Sequence, residues 1–559
     1  MQRLSLAALL TALLGACASV PPPAPPAPQV RPAAAAVPAP PPVQPPAPAP
    51  APSVAAPASA PQPAAPYGAA VMARFPEPAV RYATPAFEPG RTAFTSNAEL
   101  QTQLRAIVRD AKGVGVRAQL LAAGVSQTGA PIEALLLSRQ ADVAPAALRA
   151  SGRAAVLLIG QQHGDEPAGA EALLVVARSL AQGTLAPLLE RIDVIVLPRA
   201  NPDGAQAGQR ATASGIDLNR DHLLLRTPEA QAIAGLMRDY APAVVADAHE
   251  YAAVQPYLER FGAVARADAL LQYAMAAGVH EYVGRAAEEW FRRPLLERLQ
   301  KEGLSSDWYH TLGAPPEPRR VAMGAPLPDT ARNAAGLRHA VALLVESRGS
   351  DLGRTHLARR VHTQVVAMGS ILASAAARAD DLVKLRRFVE TETASRACGG
   401  ELVVEAAETP SEYQLRLIDP ASGADVALGV AWDSALQLRA LRARPRPCGY
   451  WLAAGEREAA LRLRGLGLTV QRADEQGVVR GESYREAAAP SPVETLPALL
   501  DVAPGSWYVP LDQPLAGLAS AALEPDAPGS YAASGLIAAG TRGVARVLAR
   551  PGFRLGTLP

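Results

Sequence analysis

Gly160-Gln161-Gln162-His163-Gly164-Asp165-Glu166-Pro167 follows an apolar run at 154–159 and leads into 168–180, whose pattern predicts a helix. A strand that ends in a polar turn and opens a helix is where open α/β sheets place their chemistry. His163 and Glu166 stand three positions apart, so an imidazole nitrogen and a carboxylate oxygen can meet on one divalent ion. Zinc accepts that pair, and a catalytic zinc site adds one more protein ligand and keeps a position open. The chain has eight histidines, so this spacing alone is weak. Residues further along decide it.

Three more apolar runs, at 192–197, 243–246 and 341–345, read as interior strands. Their unbroken apolar character fits a sheet covered on both faces. The run at 243–246 ends in Asp247-Ala248-His249, and the run at 341–345 passes directly into Glu346. Three buried strands thus each deliver a His or Glu at the C-terminal end. A metal hydrolase needs three ligands, a base for the water and cations for the substrate. His163, Glu166 and His249 are the candidate ligands and Glu346 the candidate base. A buried carboxylate is costly unless paired, so the alternative for Glu346 is an ion pair with Arg348. Upstream, Ser96-Asn97-Ala98-Glu99 reads as a capping box, with Leu100, Leu104, Ile107 and Val108 following at helical spacing. Strands expected at 116–121 and 131–137 flank the turn-rich Gly124-Val125-Ser126-Gln127-Thr128-Gly129, and a helix over about 355–377 closes the region. The expected fold is α/β, a mixed central sheet with helices on both faces.

Between these strands lie Asn201-Pro202-Asp203-Gly204, Gly208-Gln209-Arg210 and Gly215-Ile216-Asp217-Leu218-Asn219-Arg220. The ordered set HGDE, NPDG, Arg210, DLNR, DAH and LLVE resembles the zinc metallocarboxypeptidase family, over about residues 94–378. The resemblance implies one zinc ion per catalytic domain, held by His163, Glu166 and His249. It implies that Arg210 polarises the scissile carbonyl and stabilises the oxyanion, and that Asn219 and Arg220 bind the substrate's terminal carboxylate. It implies that Glu346 activates a zinc-bound water and then protonates the leaving amine. The division is sound: zinc acidifies water, a carboxylate takes the proton, and a fixed guanidinium meets the developing charge. The family's substrate-binding tyrosine has Tyr309 as its candidate here. Specificity residues are expected around 329–338, where Arg332 either meets an acidic substrate or sits on the surface. The remaining histidines, His222 among them, carry no motif and are read as structural.

The chain begins with Arg3, an apolar stretch at 4–13 and Leu14-Gly15-Ala16-Cys17. The stretch is too short to span a membrane and has a signal peptide's flanks. Leu-Gly-Ala-Cys resembles the bacterial lipobox, which implies removal of 1–16 and lipidation of Cys17; an ordinary secretory signal cut near Ala16 is the alternative. Export is expected either way. The lipid would anchor the protein to the cell envelope, at the outer membrane facing the periplasm in a Gram-negative host. Residues 20–70 are almost entirely Pro and Ala and lack the apolar bulk for a core. As polyproline II, some 50 residues reach on the order of 150 Å, so 17–72 is expected to be a disordered, semi-rigid tether.

The balance of 54 Lys+Arg against 52 Asp+Glu leaves +2 with no basic run, which argues against nucleic acid as a partner. Apart from Cys17, only Cys398 and Cys448 remain. In an exported chain they are expected to form a disulfide, worth about 4 kcal/mol for a loop of about 50 residues. Two buried free thiols are the alternative. Residues 73–378 are the expected catalytic domain and 379–559 a smaller accessory α+β domain, with short strands at 402–404, 413–418 and 426–430.

The leading function is a zinc carboxypeptidase acting on peptides or peptidoglycan stem peptides in the cell envelope. HG-x-E-P-x-G also resembles the aspartoacylase-like branch, which makes a zinc amidohydrolase of N-acyl amino acids the runner-up. A non-catalytic envelope binding protein is the third reading. Oligomeric state is not legible in the sequence.

Overall fold

Four of the apolar runs form the middle of an eight-stranded mixed sheet. In the structure, a computed structural model, Ile192–Leu197, Ala154–Gly160, Val244–Tyr251 and Val341–Arg348 lie side by side and parallel. Every residue in these four strands is buried. The structure describes residues 67–112, 115–312, 319–485, 493–538 and 540–557. The signal segment, Cys17 and the tether as far as residue 66 lie outside them.

Side chains alternate across a strand, so each interior strand feeds two cores. Val156 and Leu158 pack with Leu173 and Leu180 of helix Pro167–Gln182 and with Ile371 and Leu372 of helix Leu357–Ala377. Leu157 and Ile159 pack on the opposite face with Ile233 and Met237 of helix Pro228–Tyr240. Antiparallel Arg117–Val125 and Pro131–Ser138 extend one edge, while Ala269–Tyr273 and Ser306–Trp308 extend the other. This is the expected mixed α/β sheet. The capping box is present: Ser96 Oγ accepts from Glu99 N at 3.3 Å, and Ser96 N donates to Glu99 Oε2 at 2.8 Å.

Two interior strands run further than their apolar pattern. Val244–Tyr251 continues through Asp247, His249 and Glu250, and Val341–Arg348 continues through Glu346. Ladder hydrogen bonds come from the backbone and do not need apolar side chains. The pattern stops where the polar site begins; the sheet does not.

Residues beyond 378 are knitted into the catalytic body. The described residues belong to one compact unit. Leu382 and Val389 of helix Ala379–Ser395 belong to the same core as Val156. In place of three short strands there are two long ones, Glu401–Ile418 and Asp425–Pro445, paired as an antiparallel hairpin. Only the two ends of Glu401–Ile418 are buried, so the half-exposed middle left no alternation to read. The hairpin pairs with Val264–Ala265 on one side and with Arg320–Met323 on the other. Beyond it, seven strands and the helices Arg457–Gly465 and Ala516–Leu523 complete an α+β region. Its Tyr450, Leu463, Leu466 and Trp507 enter the core that holds Leu157 and Ile159. Each such burial is worth about 1.5–3 kcal/mol, so this region is held to the catalytic body. Cys398 and Cys448 are joined by a disulfide beside the hairpin's open end, where Glu401 faces Pro445.

Candidate metal centre and active site

The sheet register sets the site. Glu346 is the direct partner of His249 on neighbouring parallel strands, and Gly160 is the partner of Ala248 on the other side. The turn carrying His163 and Glu166 therefore leaves the sheet beside His249. Its course is fixed locally. Gln161 adopts φ +49°, a left-handed conformation that non-glycine residues rarely adopt without local support. Here Arg199 Nε donates to Gln161 Oε1 at 2.7 Å, and Gln161 Nε2 donates to Gly164 O at 2.9 Å. A Cβ on Gly164 would lie 1.9 Å from the carbonyl carbon of Gly204, so only glycine lets this turn rest on the NPDG segment. Asn201 Nδ2 donates to Gln162 O at 3.1 Å, while Asn201 Oδ1 caps the next helix by accepting from Gly204 N at 2.9 Å. Asp203 accepts from Ser126 Oγ at 2.7 Å and from Thr128 N at 3.0 Å. The HGDE and NPDG strings are thus mutual supports as much as chemistry.

His163, Glu166 and His249 meet. His163 Nδ1 lies 2.8 Å from Glu166 Oε1, and His249 Nδ1 lies 2.9 Å from Glu166 Oε2 and 3.0 Å from His163 Nδ1. All three are buried, with one ligand atom from each within 4.8 Å of the others. Two imidazoles and a carboxylate converging on one point are the donor set of a catalytic zinc site, so the residues present fit the ion. Both rings are turned by their far nitrogens: His163 Nε2 lies 3.0 Å from Asp217 Oδ1 and His249 Nε2 lies 2.9 Å from Asp247 Oδ2. Gln162 Nε2 donates to Asp247 Oδ2 at 2.8 Å, and His222 Nε2 lies 2.7 Å from Gln162 Oε1. Such outer partners orient metal ligands. Sequence reasoning assigned no role to Asp217, Asp247 or Gln162, and it read His222 as structural. The two aspartates stood inside the DLNR and DAH strings, which was the available signal. His222 is pushed down to about 4 by burial, so it is neutral at pH 7 and serves as a hydrogen-bonding strut.

The electrostatics are those of a site made for a cation. Burial opposes charge on His163, but Glu166 and Asp217 outweigh it and raise its pKa. Burial likewise opposes charge on His249, and Asp247 and Glu166 raise it well above the ordinary value. Burial works against ionisation of Glu166, yet His163 and His249 hold it well below the usual carboxylate range. The same nitrogens that would bind a cation also attract protons, so the two compete for them.

The other expected residues gather at the same place. His163, Glu166, Arg210, Arg220, Tyr309 and Glu346 line one cleft of about 320 Å³. Glu346 is pushed up to about 7 by burial, against the pull of His249. Arg348 donates to Tyr67 Oη at 3.1 Å and Ala265 O at 3.2 Å. The alternative Glu346–Arg348 pair is thus not formed. Arg210 is held over the site by Glu166 Oε1 at 3.3 Å and Asp217 Oδ2 at 3.0 Å. Asn219 touches the cleft, but its amide is engaged at both ends: Nδ2 lies 3.2 Å from His249 Nε2 and Oδ1 accepts from Ala331 N at 2.8 Å. Arg220 stands exposed at the rim, with NH1 donating to Asn219 O at 2.6 Å. Burial raises the Tyr309 hydroxyl to about 12, so it stays a neutral donor beside Glu346.

Residues 115–258 match the family model described as zinc carboxypeptidase, Peptidase_M14. Carboxypeptidase 2 of Trichophyton rubrum is 28% identical over 403 residues, which span 69% of this chain and 74% of that protein. Murein peptide amidase A of Escherichia coli K12 is 46% identical over 78 residues, 14% of this chain and 28% of that protein. Among solved structures, a metallo-carboxypeptidase from Pseudomonas aeruginosa aligns with a TM-score of 0.37 at 23% identity, covering 50% of this chain and 68% of that one. The chain carries a zinc carboxypeptidase domain of the Peptidase_M14 family. It is a hydrolase of the metallocarboxypeptidase type.

Proposed function

We propose that the protein is an exported, lipid-anchored zinc carboxypeptidase that removes C-terminal residues from peptides or peptidoglycan stem peptides in the cell envelope. The carrying observation is the convergence of His163, Glu166 and His249, two of which line a cleft together with Glu346, Arg210 and Arg220. His163, Glu166 and His249 would hold the zinc, which polarises the scissile carbonyl and acidifies water when bound. Glu346 takes the proton of the attacking water and returns it to the leaving amine. Arg210, fixed by Glu166 and Asp217, meets the negative charge that develops on the carbonyl oxygen. Arg220 at the rim binds the free terminal carboxylate; its planar fork suits that group better than an ammonium. Tyr309 donates from the cleft wall. The muropeptide option is supported by the likeness to a murein peptide amidase.

The test incubates the zinc-loaded protein with free-acid peptides, muropeptides and N-acyl amino acids, and reads products by mass spectrometry. Release of single C-terminal residues, stopped by chelation, is expected. Cleavage of N-acyl amino acids with no peptide cleaved would replace this reading by the deacylase. Failure to cleave any of them would leave the binding-protein reading.

Metal content gives a separate check. The wild type should carry about one zinc per chain, and His249→Ala should lose it together with activity. Apparent zinc affinity should fall as pH drops, because protons raised onto His163 and His249 compete for the same nitrogens. Full zinc occupancy in His249→Ala would overturn the ligand assignment.

The anchor is tested in cells. Cys17 should be lipidated and the wild type should sediment with membranes, whereas Cys17→Ser should be released or remain uncleaved. A wholly soluble wild type would contradict it. The Cys398–Cys448 disulfide supports an oxidising compartment such as the periplasm.

A further inference from the structure

We propose that Arg332 makes the side-chain subsite of this carboxypeptidase selective for substrates whose C-terminal side chain ends in a carboxylate. The inference rests on the proposed function, which puts the terminal carboxylate at Arg220. A second cavity of about 230 Å³ adjoins the catalytic cleft, and the two share Arg220, Tyr309, Thr311 and Arg332. A residue whose α-carboxylate meets Arg220 has this cavity within reach of its side chain. Arg332 was a candidate either for an acidic substrate or for the surface; it is 4% exposed, and the surface role is excluded.

The guanidinium is held in place but underused. Arg332 sits in helix Ala331–Gly336, whose first amide is tied to Asn219 Oδ1 at 2.8 Å. A Cβ on Gly324 would lie 2.4 Å from Arg332 NH2, so the guanidinium lies directly against that backbone. Its centre is 5.6 Å from the Tyr309 ring. Nε has no hydrogen-bond partner, and NH2 makes only a long contact to Ala325 O at 3.5 Å. Among the described residues no carboxylate lies within ion-pairing distance of it. A buried guanidinium without an anion is costly, and Arg332 lines the cavity that adjoins the catalytic cleft. A planar fork with free donors is the partner of a carboxylate. Asp329 and Glu408 also line this cavity. Read as the selecting groups, they would favour a basic side chain, which is the opposing outcome.

The experiment measures kcat/KM for peptides identical except for a C-terminal Glu, Asp, Gln, Leu or Lys. Glu is expected to exceed its isostere Gln by about 10- to 100-fold, the scale of a charge-assisted pair in a closed site. In Arg332→Met the Glu/Gln ratio should fall towards one, and Arg332→Lys should restore part of it. If wild type cleaves Gln or Lys peptides as well as Glu peptides, this inference fails while the carboxypeptidase reading stands. Cleavage of none of the peptides overturns both. The wild-type Glu/Gln ratio decides the matter even if a variant does not fold.

Discussion

Glu346→Gln should fold, bind zinc and lose about 100- to 10,000-fold in kcat, the usual contribution of a general acid–base group. The amide has nearly the same shape, and in the wild type no described side chain pairs with Glu346, so little structure depends on its charge. What the amide cannot do is accept a proton from water and pass it on. The wild-type pH profile gives a second reading of the same residue. Glu346 must be ionised to act, and burial has pushed it up to about 7. Activity is therefore lost as pH falls through its pKa. His249, His163 and Arg210 already pull that value down against burial, and a dication beside them pulls in the same direction. The acid limb of kcat/KM is expected at or below pH 7. Near-wild-type kcat in Glu346→Gln, with zinc retained, would transfer the base role to another carboxylate. Glu250 is a poor substitute: its Oε1 accepts from Arg360 Nε at 2.7 Å and its Oε2 from Ala168 N at 2.9 Å.

The site was more legible in the sequence than the packing around it, for a physical reason. His163, Glu166, His249 and Glu346 each interrupt or end an apolar run, and a polar group at the end of a buried strand stands out against its neighbours. Arg210, Asn219 and Arg220 were legible only through the family resemblance, since arginine is the background of this chain. Arg332 was not decidable for the same reason; its burial and its free donors are properties of three-dimensional placement. The hairpin Glu401–Ile418 and Asp425–Pro445 is half-exposed along much of its length, so periodicity marked only its buried ends. Nothing in the local sequence around Leu463 or Trp507 says that they join the core that holds Leu157 and Ile159. That shared core binds the C-terminal region to the catalytic body.

A substrate with its terminal carboxylate amidated should be cleaved far more slowly than the free acid, because a carboxypeptidase recognises that charge beside the scissile bond. Arg220 is the group expected to read it. Removing one partner from a buried charge pair costs about 2–5 kcal/mol, whereas exposed pairs are worth about 0–1 kcal/mol. Arg220 is exposed before substrate arrives, and the bound peptide itself covers it, so the effect belongs near the lower end of the buried range. At 1.36 kcal/mol per tenfold, about 2–3 kcal/mol is roughly 30- to 150-fold in kcat/KM. Arg220→Met should flatten the preference by slowing the free acid much more than the amide, which never had the contact to lose. Asn219 behaves differently: its amide is already engaged by His249 and by Ala331 N, so replacing it should disturb zinc binding along with recognition. The four-way comparison of two substrates on two enzymes isolates the Arg220–carboxylate term. Equal cleavage of acid and amide by wild type would end the carboxypeptidase reading. A preference that survives in Arg220→Met would move the carboxylate contact to another cation of the cleft.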